Sequence, residues 1–132
     1  MIFIGHFIHM TGQEKVAETE RRHGDFQMVI EATDLRSALD GFRNRIDQYR
    51  RERDFFEGAC RIYLVQLLEM DRLPREAALM THFTSIAGDP AMPFIGCSLP
   101  SSDSDACRIF DWNNAGPEID GQNEKLFMTF EG

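Results

Sequence analysis

Lysine is scarce in this 132-residue chain: of 14 basic residues only Lys15 and Lys125 are lysine, and 22 acids bring the net charge to −8. Affinity for a phosphate backbone comes from clustered cations that release its counterions. An acidic, lysine-poor chain is therefore expected to have no nucleic-acid partner. The richest basic run, "FRNRIDQYRRER" (42–53), interleaves with Asp40, Asp47, Glu52 and Asp54, so residues 34–55 carry only +1. It reads as a solvated helix face.

Cysteine is nearly as scarce. Cys60, Cys97 and Cys107 form no CxxC pair, which excludes a disulfide scaffold and a paired-thiolate metal site and fits a reducing compartment. The opening "MIFIGHFIHM" is apolar but has no basic segment ahead of it and no cleavage site. No run approaches the ~20 apolar residues that a membrane helix needs. The expectation is a cytoplasmic protein with no membrane association. Phosphate and dinucleotide fingerprints (GxxxxGK[ST], GxGxxG) are absent, as are HExxH and the GxSxG elbow. "NNAGPEIDGQNE" is rich in oxygen ligands but does not follow the EF-hand positions. No cofactor is expected.

What the chain does have is apolar material, 42% hydrophobic residues including eleven phenylalanines. That is enough for one globular domain over residues 1–132. Residues 1–10 and 23–32 ("HGDFQMVIEA") are strand-like, and pairing them with Phe7 opposite Phe26 sorts two faces. Phe3, Gly5, Phe7, Phe26, Met28 and Ile30 form a core face. Ile4, His6, Ile8, Asp25, Gln27, Val29 and Glu31 form the other.

"TDLRSALDGFRNRIDQYRRER" predicts a helix with Thr33 or Asp34 as its N-cap. Its apolar stripe is Leu35, Ala38, Leu39, Phe42, Ile46 and Tyr49, and it ends near Asp54, ahead of Phe55–Phe56 and Gly58. "CRIYLVQLLEM" (60–70) is apolar on both faces and predicts an inner strand. "LMTHFTSI" (79–86) predicts a strand from its β-branched and aromatic content. Residues 88–123 are dense in Gly, Pro, Ser, Asp and Asn and predict irregular backbone. "PFIGCSL", "CRIFDW" and the closing "KLFMTFE" are short strand candidates. The expected fold class is α+β: a mainly antiparallel sheet with one long helix packed on one face.

The run "HGDFQMVIEATDLRSALDGFRNRI", with "IYLVQLLEM", "LP" and the later "SLP", resembles a group of uncharacterised small bacterial proteins with no assigned function. The resemblance spans most of the chain. Its motifs are structural, so no functional residue follows from it.

Two candidate chemistries come from the residues themselves. In the 82–107 stretch Ser85, Ser98 or Cys97 could serve as nucleophile, with His82 as base and Asp89 as its orienter, a triad that needs hydrogen-bond contact between base and nucleophile. Packing and turn geometry is the plainer reading of the same residues. On the second sheet face His23 and Asp25 share a side, and the hairpin brings His6 diagonally within reach of Asp25. Two histidines and a carboxylate would make an open transition-metal site, against an ordinary polar cluster. His6 and His9, three apart, point to opposite faces.

The expected function is that of a non-catalytic protein-interaction module. It would form a homodimer, or meet another protein partner, through Ile4, Ile8 and Val29. The alternative is a small enzyme or ligand-binding protein with its site in the 82–123 loop region.

Overall fold

A computed structural model describes residues 1–89, 107 and 128–132. Met1–Phe83 form one compact unit and Thr84–Gly132 a second. The strand candidates "PFIGCSL" and "CRIFDW", and most of "KLFMTFE", lie outside the described residues.

Three strands and one long helix make the first unit: β1 (Ile2–Thr11), β2 (Arg22–Glu31), α1 (Leu35–Glu52) and β3 (Arg61–Met70). The sheet is antiparallel throughout, in the order β2-β1-β3. This is an α+β layout. β1 and β2 pair with Phe7 opposite Phe26, Gly5 opposite Met28 and Phe3 opposite Ile30, which places the predicted core residues on one face. Phe3 and Phe7 are buried there, in one cluster with Ala38 and Phe42 of α1. The Phe7 and Phe26 rings stack 5.0 Å apart, and Phe42 meets Phe7 edge-on at 5.5 Å.

α1 starts where the carboxylate of Asp34 accepts the Ser37 N–H at 2.8 Å, satisfying one of the free amides of the first turn. That bond, with one from the Ser37 side chain, holds the Asp34 carboxyl below its ordinary pKa. Arg50 and Arg51 sit in the last turn, where the macrodipole favours cations. The stripe is shorter than expected. Leu35 stays 48% exposed, whereas Ala38 and Phe42 are buried and Leu39 and Ile46 pack beside them. Leu35 lies in the first turn, one turn short of the ring cluster. At Gly41 a Cβ would run into Ile30 Cδ1, so the bare position lets α1 approach β2 closely.

Two expectations fail. Among the described residues the inner strand is β1, which pairs on both sides, and β3 has β1 as its strand neighbour. A bulge interrupts the strand, and its apolar residues still divide between both faces. His6 pairs with Gln66 and Phe7 with Leu64, so Val65 is the extra residue. Each half of β3 alternates, but the phase changes at the bulge. Ile62, Leu64 and Leu67 therefore all face the helix side, while Tyr63, Gln66 and Leu68 face the other. Leu79–Ile86 is also not a strand but irregular backbone. Instead of extending the sheet in its plane, Thr81 and His82 of this segment lie against the sheet's outer face.

Beyond α1 the chain turns through Phe56, at φ 60, and Gly58, at φ 69. Arg50 Nη1 donates to the carbonyls of Phe56 at 2.7 Å and Gly58 at 3.0 Å. The β1–β2 loop docks on the same turn. Gly12 N–H donates to the Glu57 carbonyl, Gln13 N–H to the Ala59 carbonyl, and Ala59 N–H to the Glu14 carboxylate at 2.7 Å. That last bond lowers the pKa of Glu14.

Candidate functional site

Register sets the three central rows of the outer face, which is turned away from α1. Val29, Ile4 and Leu68 form an apolar row, Gln27, His6 and Gln66 a polar row, and Asp25, Ile8 and Tyr63 a mixed one. His6 Nε2–H donates to Asp25 Oδ2 at 2.8 Å, the diagonal contact expected of adjacent antiparallel strands. In the neutral ring this leaves Nδ1 as an acceptor; it is buried and has no partner among the described residues. His82 stands edge-on to His6, with ring centroids 4.9 Å apart and planes at 87°. Its Nδ1 lies 3.4 Å from Gln66 Oε1, at the long limit of a hydrogen bond. Ile4, His6, Leu68, Thr81 and His82 help enclose a cavity of only about 10 Å³. That is about the room one water occupies and too little for a substrate.

The candidate residues thus meet in part. His6 and Asp25 are joined, but His23 does not complete the set: it pairs with Met10 near the strand end. Among the described residues no group of three His, Cys, Asp or Glu side chains is placed to hold a metal ion. In the nucleophile proposal His82 contacts His6 and Gln66, Ser85 belongs to the second unit, and Cys97 lies outside the described residues. Of the interface candidates, Ile8 is 40% and Val29 65% exposed, while Ile4 is half-buried beneath the Thr81–His82 crossing.

His9 is on the opposite face, as its spacing from His6 requires. Its ring lies 5.7 Å from Phe56 and 6.2 Å from Phe26. Burial there, then the nearby His23 and Arg22 charges, lower its pKa, against a smaller opposing pull from Asp25.

Sequence reasoning missed a larger feature on the helix side. A cleft of about 460 Å³ runs between α1 and β3, lined by Phe7, Leu39, Phe42, Ile46, Ile62 and Leu64, with Phe56, Cys60 and charged residues at its edge. Burial raises the Cys60 thiol pKa, against a smaller opposing effect of Arg50. The missing signal was the helix position: periodicity identifies the apolar stripe of α1 but not which strand it approaches.

Comparisons with protein-family models, with curated proteins and with solved structures each return no match. No described helix is long and apolar enough to cross a membrane.

Proposed function

We propose that the chain is a non-catalytic interaction module whose outer sheet face pairs with a second protein surface, in the first instance a second copy of itself. The observation that supports this reading is the exposure of Ile8 and Val29, with Tyr63 beside Ile8, on a face whose backbone is fixed by the sheet. Full burial of an aliphatic side chain is worth roughly 1.5–3 kcal/mol, and a two-fold axis covers such a patch with a single kind of contact. Thr81 and His82 lie against Ile4 and leave Val29 and Ile8 exposed. The cysteine spacing, with no CxxC pair, suits the reducing, cytoplasmic setting we propose with it.

Light scattering at micromolar concentration tests the reading. The expected particle has twice the 15.2 kDa chain mass, and Ile8→Glu should return it to a single chain. A native particle of one chain mass defeats the homodimer. The enzyme alternative would take its place if a hydrolase screen found an activity abolished by replacing His82, Ser85 or Cys97 without loss of fold.

A further inference from the structure

The cleft on the helix side has the size and chemistry of a small-molecule site. Its volume of about 460 Å³ falls within the ~300–1,000 Å³ of typical ligand pockets. It exists because α1 leans toward β2, where Gly41 admits the close approach to Ile30, and so stands away from β3. The bulge at Val65 then keeps Ile62 and Leu64 turned into the gap.

Charge complementarity identifies the other end of the ligand. Three ions line the cleft: Arg43, Asp47 and Arg50. Arg43 is paired with Asp40 at 3.3 Å and Asp47 with Arg51 at 2.8 Å. Arg50 differs. Its Nη1 is held by the carbonyls of Phe56 and Gly58, and among the described residues it forms no ion pair with a carboxylate. Glu14 closes the same turn but gives its carboxylate to Ala59 N–H. The guanidinium is therefore fixed in direction by neutral groups and in no direct ion pair with a described carboxylate, Glu14 acting on it only across the turn, and Nε and Nη2 can still donate. The turn that fixes it holds Phe56 at φ 60, a conformation disfavoured for an aromatic residue and one that surrounding contacts must sustain.

We propose that this cleft binds a small amphiphilic carboxylate, with its unbranched acyl chain among Phe42, Ile46, Ile62 and Leu64 and its carboxylate on Arg50. An alkyl chain matches the apolar walls, and a carboxylate matches the planar fork of a guanidinium. The site is on the opposite side of the sheet from the proposed protein contact and does not depend on it.

Sodium decanoate is the probe, titrated into the full chain with isotope-labelled Ile, Leu and Val methyl groups. Saturable shifts are expected at Leu39, Ile46, Ile62 and Leu64, with Ile8 and Val29 unmoved. 1-Decanol keeps the chain and lacks the charge. It should bind the native protein roughly tenfold more weakly than decanoate, the contribution of one charge-assisted hydrogen-bonding group. Arg50→Gln should weaken decanoate by a similar factor and leave 1-decanol unchanged, which separates loss of the headgroup contact from collapse of the cleft. The proposal is overturned if no saturable shift appears up to about 1 mM decanoate. Equal native affinity for decanoate and 1-decanol, or shifts at Ile8 and Val29 instead, overturns it as well.

Discussion

Gly5 matters for what its missing side chain makes room for. A Cβ there would lie 2.6 Å from Phe7 Cε2 and 3.3 Å from Phe42 Cε2. Neither ring has an easy way out: both are buried, and Phe7 also stacks on Phe26. Overpacking of this kind costs ~1–3 kcal/mol, against a backbone gain of roughly 0.5–1 kcal/mol for replacing a strand glycine. The clash wins. Gly5→Ala is expected to lower the urea midpoint, and a variant as stable as the native protein would show that the rings are free to move. Gly41 is the contrasting case, since the atom in the way is the tip of a flexible isoleucine.

At the scale of elements, β3 is two short strands out of phase, joined at Val65. Deleting Val65 would place Leu64 directly beside Gln66. Regular alternation would then keep Leu64 opposite Phe7 and Gln66 opposite His6, the partners they already have. Deleting Tyr63 instead would carry Ile62 from the helix side to the outer face. That removes a side chain packed against the core, worth up to ~1.5–3 kcal/mol. The deletion at Val65 should therefore be the milder of the two in denaturant unfolding, and the reverse ranking would mean the bulge is misplaced.

The same strand shows where the sequence was readable. The register of β1 and β2 was legible because phenylalanines at alternate positions allow only one facing, and the start of α1 because Asp34 is a good cap before an apolar stripe. The His6–Asp25 contact followed directly from that register. The place of β3, paired with β1 alone among the described residues, was not legible, because a run apolar on both faces does not say how many strands flank it. Leu79–Ile86 failed for a related reason. Its β-branched and aromatic residues record a fit to a half-buried pleated surface, but a strand also needs a backbone ladder to join. Here Thr81 and His82 found side chains on the sheet's face instead. The His82–His6 contact spans 76 positions of sequence and left no local pattern.

For the molecule as a whole, the net charge of −8 sets how the proposed dimer should respond to salt. Two such chains repel one another, and the repulsion is screened over a Debye length of about 8 Å at 0.15 M ionic strength and about 30 Å at 0.01 M. The proposed contact rests on Ile8, Val29 and Tyr63, whose burial does not weaken with salt. Its charged neighbours on the same face are Asp25, which already accepts from His6, Glu31 and Arg61, so the chain's own sign prevails there. Under these conditions added salt removes repulsion and removes little attraction. Association should therefore tighten as sodium chloride rises from about 0.01 M to about 0.15 M, measured as the dissociation constant by analytical ultracentrifugation. A contact built on cross-chain ion pairs, such as those the exposed arginines of α1 could make, would move the other way, because screening weakens it. A dissociation constant that rises with salt would mean that cross-chain ion pairs hold the dimer and would defeat the apolar contact of Ile8, Val29 and Tyr63.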